Sequence, residues 1–448
     1  MEVTLSEILN ARENRARMQK SLLSRGFPII SFSMNIAGPT KNSPSIERAF
    51  FEGRRILEER LDASKIKHTY ESISPTGCEA IYCVDEEPSV LKAMCVKIED
   101  SCRLGRLFDL DVIDTDGRKS ERKQMRACLI CGKRGRECSA SRAHPVEALQ
   151  KETARIIRDY FIARDASHFA VLAEKSLLRE LYTTPKPGLV DKSNNGSHPD
   201  MSIEVFERSA HALVPYFREC FLLGTETGTC LREDFLRLRE LGVKAEGQML
   251  TQTGGVNTHK GAVFCFGLIL YSLGALWRED TPTPDTDRLF SVCAEMASHA
   301  LSDLSCDTPD TAGKRLFAEK KIKGVRGEAA LGFVSVREIA LPTYEKALAC
   351  SYTENDAGVL ALLSLIAEID DTTLYKRGGD HGVAFARDYA KRILREHGNM
   401  CESGSDERML AEVKKMDDEF ISRNLSVGGC ADLLALCYFI HGIKTRKM

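Results

Sequence analysis

The period of the apolar residues changes once along this chain, between about residues 150 and 170, and that change limits what it can fold into. Before it, short runs alternate apolar and polar residues, as half-buried strands do. SFSMNIAG (31–38), EAIYCV (79–84) and GRLFDLDVID (105–114) are such runs. Between them SIERAFFEGRRILEERLDA (45–63) has helical spacing, with Phe50, Ile56, Leu57 and Leu61 on one face. After the change, a 3.6-residue period dominates. AVLAEKSLLRELY (170–182), MSIEVFERSAHALVPYFRECFLLG (201–224), GVLALLSLIAEI (358–369) and ADLLALCYFIHGI (431–443) all show it, without strand alternation. The expected fold is an α+β domain, residues 1–165, followed by a larger all-α domain, residues 166–448. A helix at about 146–164 forms the connector, and 448 residues are ample for two cores.

Charge and cysteine content narrow the function. With 63 Lys+Arg against 65 Asp+Glu, the charge balance gives no case for a general nucleic-acid or polyanion binder. The opening MEVTLSEILNARENRARMQK is charged and amphipathic, unlike a signal peptide. GAVFCFGLILYSLGALW (261–277) is short for a membrane span and Gly-interrupted, and is expected to be a buried helix. Sixteen cysteines without a secretion signal point to a reducing cytoplasm, most of them serving as small core residues.

Two constellations carry chemistry. In Gly105–Val112 a strand places Phe108, Leu110 and Val112 on one face, and Asp109 and Asp111 on the other. Two carboxylates so spaced suit Mg²⁺, a hard cation that shares substrate phosphates. Arg106 and the nine basic residues within 118–142 are placed to hold a polyphosphate, although a solvated face is the simpler reading of that run. Cys128, Cys131, Cys138 and His144 follow, donors of the type zinc takes. In the helical half, polar residues gather between helices. Glu180 precedes PKPGLVD (185–191), and NGSHPDM (195–201) follows. Glu246 precedes TGGVNTHKG (253–261), whose Gly254, Gly255, Asn257, Thr258 and Lys260 feed a helix N-terminus suited to phosphate. GVRGEA (324–329), Asp370-Asp371 with Arg377-Gly378-Gly379, and SVGGCAD (426–432) complete the set.

SFSMNIAGPTKNSP, PTGCEA, GRLFDLDVID and RACLIC…C…SRAH, in that order, resemble the citrate lyase holo-acyl-carrier-protein synthase family. The resemblance implies a nucleotidyltransferase-like domain. Its activity would move a phosphoribosyl-dephospho-CoA group to a carrier-protein serine with loss of pyrophosphate, and Arg106, Asp109 and Asp111 match its catalytic positions. PKPGLVD, NGSHPDM, TGGVNTHKG, GVRGEAALGF, DDT…RGG and SVGGCADLLA resemble the triphosphoribosyl-dephospho-CoA synthase family, with Thr373 and Val427 where Asn and Pro are expected. That second resemblance implies joining of ATP and 3′-dephospho-CoA with release of adenine. On it, Asp370 and Asp371 are assigned to Mg²⁺, and Lys186, Lys260, Arg326 and Arg377 to phosphates. Glu246, His198 and His259 are proton-transfer candidates of equal standing. The implied partner is the apo-acyl-carrier (gamma) subunit of citrate lyase. The corresponding malonate decarboxylase carrier is the near alternative. A zinc-stabilised interaction module on a non-catalytic helical scaffold is the distant one.

Overall fold

The computed structural model describes residues 2–226, 231–281, 283–302, 324–397 and 407–445. Its contacts divide the chain into Met1–Ala163 and Arg164–Met448, with helix α5 (Val146–Tyr182) running through the division.

The first unit is built on a four-stranded antiparallel sheet in the order β2-β3-β1-β4: β1 (Ile29–Met34), β2 (Ile66–Ser74), β3 (Gly77–Val84) and β4 (Phe108–Ile113). Period-two alternation gives it two different faces. On one, Phe32 stacks on Phe50 at 4.9 Å and meets Phe108 edge-on at 5.4 Å. Helix α2 (Pro44–Glu58) supplies Phe50, and it lies close to the sheet because a Cβ at Gly53 would come within 2.6 Å of the Phe32 ring. Ser43 caps that helix, with Pro44 at its first position. Helix α3 (Pro88–Ser101) packs beside β4. On the other face, helix α1 (Leu5–Leu23) buries Leu22 against Ile29, Ile81 and Cys83. A capping box of Thr4 and Glu7 starts α1.

Three boundaries differ from the sequence expectation. The first strand stops at Met34 rather than residue 38, and Asn35 donates its N–H to Leu107 O instead of extending the ladder. Residues 104–107 form a tight 3₁₀ turn rather than strand, because Gly105 lies against the last carbonyls of α3, where a Cβ would be 2.6 Å from Ile98 O. Helix α2 ends at Glu58 instead of residue 63. Strand β2 was missed: it is an edge strand without one buried residue, so IKHTYESIS carries no apolar alternation.

Among the described residues the second unit holds no strand, as expected. Its helices are α6 (Ile203–Thr225), α7 (Leu231–Gln252), α8 (Lys260–Leu276), α9 (Thr286–Ser302), α10 (Gly324–Ala330), α11 (Leu341–Ala349), α12 (Glu354–Glu368), α13 (Thr372–His397), α14 (Glu407–Ser422) and α15 (Gly428–Lys444). The apolar run 261–277 is α8, and twelve of its residues are buried within the bundle. Glycines set its closest approach: a Cβ at Gly224 of α6 would fall 2.0 Å from Tyr271 O of α8. No helix among the described residues is long and apolar enough to cross a membrane.

Candidate functional site

The polar face of β4 is the first candidate. Alternation buries Phe108, Leu110 and Val112 and turns Asp109 and Asp111 outward, opposite Ser33 and Ser31 of β1. Lys119 Nζ pairs with Asp111 Oδ2 at 2.6 Å, so a cation already sits at that carboxylate. Packing around the Asp109 carboxyl, and then the charge of Asp111, raise its pKa. Such a pair gains from a cation placed between its members.

A basic cluster flanks the pair. Glu99, 3% exposed on α3, accepts from Leu110 N at 2.9 Å and from Arg122 Nη1 at 3.0 Å, and also pairs with Arg126. Arg126 donates to Phe108 O at 2.7 Å, and Arg106 donates to Ala127 O. Burial, and then the nearby Arg126 charge, lower the pKa of Arg106, while Asp100 and Glu99 oppose the shift. Sequence reasoning missed Glu99. Its signal was an acid on the apolar side of MCVKIEDS, where an unpaired carboxylate would be costly.

Cys128, Cys131, Cys138 and His144 converge, their donor atoms all within 4.8 Å of one another. Cys128 and Cys131 lie on a hairpin closed by Cys128 N to Lys133 O at 2.6 Å and turned at Gly132, whose φ is +71°. Cys138 lies on the short helix α4 (Gly135–Ala140), and His144 follows it.

In the helical unit the start of α8 is the second candidate. Gly254 and Gly255 take φ of +68° and +93° to turn the chain out of α7. Thr258 donates to Ser209 Oγ at 2.7 Å, and Ser209 lies 2.7 Å from His259 Nδ1. His259 Nε2 is buried without a hydrogen-bond partner. Burial and the charge of Lys186 push the His259 pKa down to about 3, so the ring is neutral. The Ser209 hydroxyl facing Nδ1 leaves Nε2–H as a donor without an acceptor. Lys260 and Glu246 pair with each other at the surface at 2.7 Å, and Asn257 is exposed.

Beside this turn lies a group of charges, with Glu180 and Lys186 buried and Asp432 half-buried. Asp432 of α15 sits where a Cβ at Gly261 would be 1.8 Å from its Oδ2, against the first turn of α8. Burial, then Glu180 and Asp371, raise its pKa well above the carboxylate range. Burial also raises the pKa of Glu180, opposed by Lys186. Lys186 is placed otherwise than the sequence suggested: it is 1% exposed, and its Nζ donates to Glu180 Oε1 at 2.5 Å and Glu180 O at 2.7 Å.

The two aspartates assigned to metal have separate partners. Asp370 pairs with Arg387 at 2.6 Å. Asp371 is 2% exposed and accepts three backbone N–H groups: Thr373 at 2.7 Å, Leu374 at 3.0 Å and Cys430 at 2.9 Å. It caps α13 and the first turn of α15 together, which leaves about one lone-pair direction for anything else. As a two-carboxylate Mg²⁺ site the pair fits poorly. A cavity of about 290 Å³ opens beside it, lined by Gly324, Glu328, Asp370, Asp371, Thr372 and Gly429 among others. Arg326 is half-buried on α10.

His198 and Arg377 belong to a tied loop. Arg377 donates to Ser197 O and Asn424 Oδ1, each at 2.8 Å, and to His198 Nδ1 at 3.1 Å. His198 Nε2 lies 2.8 Å from Ser426 Oγ. Burial, and then the Arg377 charge, push His198 down to about 4. The structure thus groups His259, Lys186, Glu180 and Asp432, and holds Glu246 with Lys260, and His198 with Arg377, in separate pairs. Asp432 belongs to the SVGGCAD segment that the sequence singles out, but no role fell to it there. Its signal was a lone acid in the apolar run ADLLALCYFI, right after a Gly-Gly turn.

Two family models match in tandem. Residues 3–160 match the apo-citrate lyase phosphoribosyl-dephospho-CoA transferase family, and residues 166–448 match the ATP:dephospho-CoA triphosphoribosyl transferase family. A Haemophilus influenzae protein named Protein CitXG is 32% identical over 98% of this chain and 96% of its own length. A protein of the same name from Leuconostoc mesenteroides subsp. cremoris is 31% identical over 98% of this chain and 97% of its own. A 2-(5′′-triphosphoribosyl)-3′-dephosphocoenzyme-A synthase from Haemophilus ducreyi is 36% identical over 69% of this chain and 98% of its own.

Proposed function

This chain belongs to the fused citrate lyase maturation proteins, a phosphoribosyl-dephospho-CoA transferase joined to a triphosphoribosyl-dephospho-CoA synthase, and on that premise we propose how its two units divide the work. The protein is a bifunctional transferase. It makes 2′-(5′′-triphosphoribosyl)-3′-dephospho-CoA from ATP and 3′-dephospho-CoA, then attaches the prosthetic group to the apo-acyl-carrier subunit of citrate lyase. The family match favours the citrate lyase carrier over the malonate decarboxylase one and sets aside a non-catalytic scaffold. We divide the activities at 165/166, give the first unit a nucleotidyltransferase-like role, and place the protein in the cytoplasm. Nucleotide substrates and free thiols support that location.

In the synthase reaction the 2′-hydroxyl of dephospho-CoA attacks C1 of the ATP ribose. The C1–N9 bond breaks with its electron pair on adenine, and the hydroxyl proton must go to a base. Glu180 and Asp432 are our choice for that base, since both carboxyls are raised above their ordinary values and so hold a proton more readily than a solvated acid. Neutral His259 donates a hydrogen bond through Nε2 rather than accepting a proton. Gly254, Gly255, Thr258 and the α8 N-terminus, with Lys260 and Arg326 near the surface, would receive the triphosphate. Lys186 acts indirectly, by holding Glu180.

In the transfer step the carrier serine oxygen attacks the α-phosphorus of the triphosphoribosyl arm and pyrophosphate leaves. Lys119, Arg106 and Arg126 would hold the phosphates. Asp109 and Asp111, i and i+2 on one strand face, fit Mg²⁺, which when bound would polarise the attacked phosphate and neutralise pyrophosphate. The Cys/His group fits zinc in ligand type and number.

The observation that carries the synthase reading is the grouping of buried Glu180, Lys186 and His259 with half-buried Asp432 at the start of α8. Incubation with ATP and dephospho-CoA should yield free adenine and a product that retains three phosphates. Stoichiometric ADP or AMP would make this unit a kinase or adenylyltransferase instead.

A further inference from the structure

From Ile113 to Glu152 the first unit contains no buried residue. A segment that long, with no apolar core of its own, needs another source of order. The order is nevertheless specific: Gly135 N bonds Arg126 O at 2.9 Å, Ala127 bridges Arg134, and Ala143 N bonds Cys138 O at 3.0 Å. At the centre of this framework are the four thiol and imidazole donors.

Their spacing is that of ligands around one ion. Cys131 Sγ lies 3.5 Å from Cys138 Sγ and 3.4 Å from His144 Nε2. A disulfide would require about 2.05 Å. Two sulfurs bound tetrahedrally to zinc at about 2.3 Å stand about 3.8 Å apart, near what is seen.

The hairpin also reaches the transfer site. Cys128 directly follows Arg126 and Ala127. Arg126 donates to Phe108 O at 2.7 Å, at the start of the strand that carries Asp109 and Asp111. Ala127 O receives the Arg106 guanidinium. Whatever fixes Cys128 therefore fixes both arginines against β4.

We infer that Cys128, Cys131, Cys138 and His144 bind one zinc ion that takes the place of a core for this segment and holds Arg106 and Arg126 in position to grip the phosphates of the transfer substrate. The positional role rests on the transferase reading above; zinc binding does not.

The test uses the full chain. Elemental analysis of the purified protein should find about one zinc per chain. Stripping with a chelator should speed trypsin cleavage within 118–142 by roughly tenfold or more, and refilling with zinc should restore protection. Cys131→Ser with Cys138→Ser should reproduce the stripped pattern. Stripped protein should show a KM for the triphosphoribosyl donor raised roughly tenfold, with adenine release unchanged. A chain without zinc, or zinc whose removal leaves cleavage unaltered, would overturn the inference. Cleavage that changes while the donor KM does not would overturn the positional role. Zinc-dependent protection in an untreated enzyme that never labels the carrier would count against the transferase reading and leave the zinc site standing.

Discussion

Lys186→Met separates a buried ion pair from an open phosphate ligand. In the structure the ammonium is 1% exposed and both its close contacts are to Glu180. Removing one partner of a buried pair leaves the other charged in a poorly solvated site, at about 3–5 kcal/mol. For a domain of this size each kcal/mol moves Tm by about 2–4 °C, so the variant should melt on the order of 10 °C lower at neutral pH. The loss should also depend on pH. Burial already raises the Glu180 pKa, and without Lys186 nothing opposes it. A group whose folded pKa is raised gives stability at low pH that is lost as pH rises through it. The deficit of Lys186→Met against the parent should therefore be small near pH 4–5 and widen toward pH 7. Adding Glu180→Leu should recover most of the lost Tm, since an apolar pair of similar volume often replaces a buried ion pair without loss. Adenine release should not recover with the Tm, because Glu180, one of the two proposed bases, has gone. Differential scanning calorimetry across pH, alongside the adenine assay, reads both. An unchanged Tm with a KM for ATP raised tenfold or more would refute the reasoning and make Lys186 a phosphate ligand.

His198 and His259 are held neutral, with pKa values pushed down to about 4 and about 3, while unfolded imidazoles titrate near 6.5. Stability of the helical unit should rise between pH 4 and 6.5, by up to about 1.4 kcal/mol per unit per histidine, and level off above. The raised carboxyls of Glu180 and Asp432 act in the opposite direction, so the histidine share is read by difference. A His198→Asn variant whose urea midpoint changes between pH 5 and pH 7 as the parent's does would contradict this. Asp371→Ala removes the shared cap of α13 and α15 and should cost about 2–4 kcal/mol in thermal unfolding. An unaltered Tm with weaker ATP binding would instead make Asp371 a ligand.

How much of this was legible depends on how local the signal was. The Asp109/Asp111 face needed only strand alternation, and the structure delivers it directly. The Cys/His group could be read because its four donors are close in sequence and the hairpin and short helix that carry them are local structures. Edge strand β2 was silent because nothing on it is buried. The helical site was read only in outline. Motif residues fell near one another, but which acid meets which base depends on α8 and α15 meeting through Gly261, a contact between distant segments. Lys186 looked like a phosphate ligand in a Pro/Gly loop, and only burial showed it committed to Glu180. Asp371 looked like half of a carboxylate pair, and only the geometry showed two helices claiming it.

The central claim is that one chain holds two separate chemistries, the carboxylates of β4 serving only the second. Asp111→Asn keeps the side-chain shape and removes the charge that faces Lys119. Measured side by side on the folded full-length variant, adenine release from ATP and dephospho-CoA should stay within about twofold of the parent. Transfer from supplied triphosphoribosyl-dephospho-CoA to the apo-carrier should fall by roughly 100-fold or more. Equal loss of both activities would contradict the account.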